Sequence, residues 1–383
     1  MSQEPALSAR QGASKEPALS ASKEPALSVS KGGAAFPPER APSIVRRAIE
    51  SARSGGLIWL VLLLIGVLVV SLFIGRYPAP PLLTPDRLAT DELAQRLVWN
   101  LRLPRVLAAV LLGMALAGAG TVLQMILGNP LVEPGFLGVS QGAAFGASLS
   151  IIFLGNAAWL VQGSAAFFAF VGLGLSYLLA HRLRYGGWVL RLVLAGIAVS
   201  ALFSAGVGML KYIADPLRQL PEITFWLLGG LWSITWTQLL TILPVTLLAL
   251  LVMYRMRWRL NLLGLDDATA FSLGVAPTRE RVLVLTAAVA ATAAVISVSG
   301  MVGWIGLIMP HLARRLFGAD ARRALPAALL LGGVFSLLCD DIARTLLAGE
   351  IPLGILTSLL GAAFFMGLMT ARARHGAAHK AEP

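Results

Sequence analysis

From Leu57 onward the chain is a succession of long apolar runs separated by short polar or basic stretches. A helix needs roughly 20 apolar residues to span hydrocarbon. Measured against that length, ten runs are candidate spans: 57–75, 106–127, 138–155, 157–180, 189–213, 236–254, 281–299, 302–316, 325–347 and 353–370. They are continuous rather than alternating, so they predict α-helices and not the strands of a membrane barrel. Two segments fit simple spanning poorly. "EITFWLLGGLWSI" (222–234) suits a re-entrant or interfacial helix, and 302–316 is short and carries Pro310. A helix breaker is tolerated at membrane depth where the freed backbone is buried in protein or faces a cavity. Within the second run, Gly113, Ala117 and Thr121 form a small-xxx-small row that lets helices approach closely.

Residues 1–50 obey a different pattern. "ASKEPALS" occurs at 13–20 and again at 21–28, with "EPALS" also at 4–8. Proline, serine and small residues without an apolar face cannot offset the entropy of ordering, which predicts a disordered cytoplasmic tail. No basic-then-apolar layout of a cleaved signal peptide is present. The expected domains are this tail, a transmembrane domain over 51–372, and a cytoplasmic C-terminal tail over 373–383.

Composition agrees with the pattern. The chain is 57% hydrophobic and only 13% charged, where a soluble domain carries roughly 25% charged residues. The net charge of +12 invites a nucleic-acid reading, but its distribution excludes one. The basic residues sit between apolar runs, in "HRLRYGG" (181–187), "RMRWR" (255–259), Arg314–Arg315, "ARR" (321–323) and "ARARHGAAHK" (371–380). With both termini inside, ten crossings put every cluster in the cytoplasm, the positive-inside signature. The single cysteine, Cys339, excludes an intrachain disulfide.

Candidate chemistry is thin. "GVSQG" (138–142) has the letters of a nucleophile elbow around Ser140, but that motif works only between a strand and a helix of a hydrolase sheet. No phosphate-binding G-x-x-x-x-G-K-[ST] loop exists, so any ATP site belongs to another subunit. The four histidines are scattered and Cys339 stands alone, which gives no metal set. Glu133, Asp215, Glu222, Asp340, Asp341 and Glu350 fall at span ends or loops, not on a midplane ion path. Asp340 and Asp341 precede Arg344 by four and three residues, the spacing of an intrahelical ion pair.

Three stretches remain. In "NLLGLDDATAFSLGVAPTRER" (261–281), Asp266 or Asp267 can cap a short helix, Gly274 can end it, and Pro277 forbids continuation. Leu265, Phe271 and Leu273 then form a knob for another protein's groove, or pack within the loop itself. In "LRLPRVL" (101–107), Arg102 and Arg105 lie on the predicted outer side, where they can snorkel to phosphates or pair with acids of a partner. "GLIMPHLARR" (306–315) places His311 beside Pro310 and one turn before Arg314. No acid lies at matching depth, so the foot of a helix is expected there rather than a proton relay.

Several motifs converge on one family. "RLPRVLAAVLLGMALAGAGTVLQMILGNPLVEPGFLGVSQGAAFG" (102–146), "GWIGLIMPHLARRLFGADARRALPAALLLGG" (303–333) and "DDIARTLLAGEIPLGILTSLLGAAFF" (340–365) resemble the signatures of the FecCD permeases. These are membrane subunits of ABC importers for iron–siderophores, haem and cobalamin. The resemblance implies an all-α polytopic membrane protein with ten transmembrane helices and the type II importer permease fold. It also implies a homodimer in a bacterial inner membrane, two cytoplasmic ATPases, a periplasmic binding protein, and no cofactor in this chain, ATP and Mg being the partner's. By matching position, Arg102, Arg105 and Arg344 resemble arginines that receive the binding protein's glutamates. Residues 262–275, with Leu265, Asp266, Asp267, Phe271, Leu273 and Gly274, look like the coupling helix. Asn129, Pro130, Pro310 and His311 fall in signature positions suited to structure or gating. Gly128 and the second acid of "CDDIAR" depart from the pattern, and 211–236 is similar to branches carrying molybdate or tungstate. An ion-coupled secondary transporter is the rival class.

Overall fold

The computed structural model describes the backbone of residues 43–77, 82–347 and 349–378, and side chains within 55–77, 82–347 and 349–367. Residues 1–42 of the tail expected over 1–50 lie outside the described residues, and 43–50 are helical rather than disordered. The chain divides into two compact units, Met1–Glu50 and Ser51–Pro383, and the helical bundle belongs to the second.

Among the described residues the architecture is all-helical, with one isolated bridge between Ile74 and Leu82. Helix α1 is Ser43–Phe73, followed by the short α2 (Pro85–Thr90) and α3 (Glu92–Leu97), then α4 (Leu103–Ile126). Next come α5 (Val139–Leu149), α6 (Ala158–Arg182), α7 (Trp188–Ile213), the ten-residue α8 (Gln219–Leu228) and α9 (Trp236–Leu263). The series ends with α10 (Asp267–Ser272), α11 (Pro277–Ser299), α12 (Ile305–Phe317), α13 (Ala321–Thr345) and α14 (Leu353–Ala378). A helix lies on each of the ten expected spans. Seven stretches are long and apolar enough to cross a membrane, while Val139–Leu154 and Leu353–Gly367 are shorter apolar helices. Helix α12 has only 13 residues. Helices α1 and α14 reach past the expected domain limits at 51 and 372.

Helix α4 is the centre. Of its apolar window 89% is buried, and it packs on α13, α11, α12 and α9. The small residues read from sequence explain how. A Cβ on Gly113 would collide with the backbone carbonyl of Gly332 in α13, and one on Gly120 with that of Gly306 in α12. The backbones therefore touch directly, the close approach that small-residue rows permit in lipid. Ala117 faces Gly332 from the same row, and Thr121 returns its hydroxyl to the Ala117 carbonyl at 2.8 Å.

Helix ends follow ordinary capping chemistry. Thr235 and Gln238 close a capping box at the start of α9. Asp266 caps α10 through the Thr269 N–H at 3.0 Å. Before α12 the chain turns through Trp304 at φ 71°, the one non-glycine residue with positive φ among those described. That strain is held by Glu133, whose carboxylate accepts from the Trp304 N–H at 3.2 Å.

Candidate functional site

At the Arg105 end of α4, charged side chains from distant parts of the chain meet. Arg105 donates through Nε to both oxygens of Asp340, at 3.0 and 3.1 Å. Its Nη1 reaches both oxygens of Glu350, at 3.0 and 2.9 Å. Asp340 has no exposed side-chain surface, Arg105 is 12% exposed, and Glu350 is 33% exposed. Arg344 pairs with Asp341 three residues back and lies 3.9 Å from Asp340 four back. The intrahelical pairing read from spacing is therefore present. Arg344 also donates to the Ser71 carbonyl at 2.6 Å and hydroxyl at 2.8 Å, which ties α13 to α1. Ser71 in turn donates to Asp341.

Arg102 points elsewhere. It donates to the Leu72 carbonyl at 3.0 Å and to the Tyr77 carbonyl, closing the turn after α1. Gly75 is small for this reason, since a Cβ there would overlap the Arg102 guanidinium. All three expected docking arginines are thus held by groups of their own chain. Buried ions need such pairing, because an unpaired charge out of water is costly. Neither snorkelling to phosphate nor an unoccupied guanidinium describes Arg105 here.

At the opposite end of α4 the Met125 carbonyl lies 3.5 Å from the space a Cβ on Gly264 would fill, where the chain leaves α9 for α10, which packs on α9 and α11. Asp266 caps, Gly274 turns at φ 79°, and Pro277 opens α11, as their residue types demand. Hydrogen bonding to the Thr269 backbone N–H, then to its hydroxyl, holds the Asp266 carboxyl below its ordinary range. Asp267 has a different role, an ion pair to Arg281 at 2.6 Å. Arg281 also donates to the Leu263 carbonyl at 3.0 Å, and Trp188 lies 5.0 Å from its guanidinium. The short helix is clamped on one side and bare on the other. Ala270 is buried, whereas Phe271 is 74% exposed and Leu265 and Leu273 are also exposed. A loop packed on itself would cover those three side chains.

Between α4 and α12 sits a polar knot. Gln124 is buried, and its amide donates to the carbonyls of Val132, Gly306 and Leu307 at 3.1–3.2 Å. Its oxygen accepts from Arg314 at 2.6 Å. Pro310 is buried inside α12, and His311 is half-buried one turn before Arg314. Asn129 turns the loop after α4 by accepting from the Leu131 N–H at 2.9 Å, with Pro130 between them. Ser140 lines a cavity of about 320 Å³ with Glu133, Gln141 and Ser200, where no histidine stands to activate it. No three metal-ligating side chains gather among the described residues.

Sequence reasoning missed Gln124, Ser71, Glu350 and Arg281 as partners. Gln124 offered a signal, being the one amide in the largely apolar α4. The Arg105 pairs join residues 235 and 245 positions apart, which no local spacing reveals.

The described residues thus form an all-helical, multi-pass membrane domain with an exposed apolar elbow between α9 and α11. The chain belongs to the FecCD transport family, whose profile matches residues 62–371. It is 40% identical over 324 residues to the molybdate import system permease protein MolB of Haemophilus influenzae, covering 83% of this chain and 95% of that one. It is 43% identical over 281 residues to the hemin transport system permease protein HmuU of Yersinia pestis, covering 71% and 82%. A solved metal-chelate type ABC transporter in an inward-facing conformation matches with TM-score 0.77 and 39% identity, over 83% of this chain and 99% of that chain. The protein is therefore an ABC transporter permease, a transport subunit and not an enzyme. That class implies an ATPase and a binding protein as partners.

Proposed function

We propose that this permease imports a metal chelate, such as an iron–siderophore, haem or cobalamin, delivered by a periplasmic binding protein. The observation that carries the coupling half of this reading is α10, capped, clamped by Arg281 and presenting Phe271 at 74% exposure. Such a knob suits a groove on an ATPase that binds ATP and Mg, while this chain holds no cofactor. Asp266 and Gly274 shape the knob, Asp267 anchors it, and Leu265 and Leu273 flank its tip. The assembly is a homodimer of ten-span subunits in a bacterial inner membrane, with both termini cytoplasmic. Asn129, Pro130, Pro310 and His311 serve structure or gating where α4 and α12 approach.

Docking outside is assigned to the surface around Arg102, Arg105 and Arg344. Arg102 and Arg344 shape it from within. Arg105 meets a partner's carboxylate by releasing Glu350, which is the most exposed member of the cluster. A second reading, import of molybdate or tungstate, is favoured by the likeness to MolB over 95% of that relative.

Proteoliposomes holding the chain, its ATPase and its binding protein test both. ATP-dependent uptake of an iron chelate supports the first reading, and uptake of molybdate the second. Gradient-driven uptake by the chain alone would return the secondary-transporter class and refute both.

A further inference from the structure

Helices α6, α8, α9 and α11 line a half-open cavity of about 1010 Å³ that the coupling and docking regions do not use. It lies at the top of the roughly 300–1,000 Å³ range of small-molecule sites. Its lining is layered by depth. Trp159 and Trp232 stand at the mouth, on the first residues of α6 and just before α9. Next come hydrogen-bonding side chains, Gln162 at the fifth residue of α6 and Gln238 in the first turn of α9. At 1.5 Å per residue these lie within about 6 Å of the helix ends. Further in, the wall is apolar, with Phe170 and Val245. Tryptophan, then hydrogen-bonding groups, then hydrocarbon is the order of a bilayer interface read inward.

Gln162 has no partner to explain its place. Its side chain is only 9% exposed, and its amide nitrogen has no acceptor among the described residues. A buried amide without a hydrogen bond is destabilising, and more so beside hydrocarbon. The half-buried Glu222, in the first turn of α8, is the one charged group in the lining. An anionic site repels anionic chelates and oxyanions but suits an ammonium.

From these features we infer that the cavity holds one phospholipid with an ammonium headgroup, of the phosphatidylethanolamine class. An ester carbonyl accepts from the Gln162 amide, the ammonium lies near Glu222, and an acyl chain runs along Phe170. The inference requires only that the chain is embedded in a membrane. Its failure would leave the importer reading standing, since the test uses neither ATPase nor binding protein.

The test is native mass spectrometry of the full chain, purified in mild detergent and supplied with palmitoyl-oleoyl phosphatidylethanolamine or phosphatidylglycerol. One phosphatidylethanolamine per chain is expected to survive washing. Gln162→Leu should weaken retention about fivefold, the worth of one hydrogen bond. Gly163→Trp, at a glycine whose Cβ would meet open space, should cut retention sharply by obstructing the cavity beside Gln162. Glu222→Gln should erase the preference over phosphatidylglycerol. Gln162→Leu removes the polar group with little change in volume, so it should fold, and its melting temperature should rise less with added lipid than that of the parent. Equal retention by Gln162→Leu and the parent protein would overturn the proposal. So would displacement of the lipid by ferric citrate or molybdate, which would give the cavity to the substrate.

Discussion

The charge cluster around Asp340 makes a prediction that separates buried from exposed pairing. Asp340 is fully buried, makes three contacts of 2.9–3.1 Å with Arg105, and also faces Arg344. Removing one member of a buried pair leaves an uncompensated ion and costs roughly 3–5 kcal/mol. Asp340→Ala leaves Arg105 with only the partly exposed Glu350 and Arg344 with Asp341, so the lower part of that range is expected. Glu350 touches the same arginine at the same distance but keeps one-third of its side chain in solvent. Exposed pairs contribute about 0–1 kcal/mol, and Gln at 350 still offers an acceptor. Glu350→Gln should therefore barely move the melting temperature of the purified full chain in detergent, followed by size-exclusion of heated samples. Asp340→Ala should lower it by many degrees. Because membrane-protein melting is commonly irreversible, the ranking of variants is the readout rather than an equilibrium value. Arg105→Ala combined with Asp340→Ala should cost less than the sum of the two singles, as coupled partners do. Equal shifts for Asp340→Ala and Glu350→Gln, or strict additivity of the double variant, would refute this account of the cluster. The same Glu350→Gln protein should bind its binding protein more tightly if Glu350 competes for Arg105, with the gain largest at low salt.

Four further outcomes are expected. Phe271→Asp should leave folding intact, because that side chain is 74% exposed, yet abolish stimulation of the ATPase in proteoliposomes. Gln124→Leu should lower the melting temperature, since it strands Arg314 and the carbonyls of Val132, Gly306 and Leu307 at about 1–3 kcal/mol for each group left unpaired. Gly120→Ala, which meets the Gly306 carbonyl, should destabilise by about 1–3 kcal/mol or more, whereas Gly174→Ala meets open space and should be harmless in the same melt. The Asp266 carboxyl is lowered in the folded chain, so its cap is present above the ordinary Asp value of about 3.9 and lost only as pH falls through the lower folded value. ATPase stimulation should then be flat from about pH 5 to 8 for the parent and for Asp266→Asn, and reduced throughout for Asp266→Ala.

Hydrophobic run length places every major helix, because the rule that lipid-facing backbone must bond within its own segment leaves few alternatives. The α10 cap and stop are legible for a similar reason, since Asp266, Gly274 and Pro277 act within a few residues of themselves. Pairings across the fold are not. Nothing in "LRLPRVL" states that Arg105 meets Asp340 and Glu350, since their meeting depends on how α4 packs on α13. The Gly113–Gly332 contact is half legible, as the small-residue row marks a close approach without naming its partner. "GLIMPHLARR" makes up most of the short α12, with only Arg314 and Arg315 in its last turn, and the acceptor of Arg314 is an amide on α4, a residue type that looks merely tolerated there.

These contacts bear on how such a permease can move. Helix α4 is held at one end by Arg105 and at the other by Gln124, and between them its backbone touches those of α12 and α13. Packed interfaces of this kind are bistable rather than continuously deformable, and here no side chain lies between the glycines to re-pack. Sliding α4 along α13 would drive the Gly113 and Gly332 backbones into neighbouring side chains. The α4, α12 and α13 group should therefore travel as one body. The share of the window covered by this chain is smaller elsewhere, 33% for α7 and α9, 22% for α6 and 6% for α1, which leaves those faces to lipid or to other subunits. Helix α10 joins α9 to α11, between a sparsely buried helix and one whose window is 72% buried. If Phe271 receives a partner's push, as proposed, the push arrives where a helix with much of its surface outside this chain meets one largely buried within it.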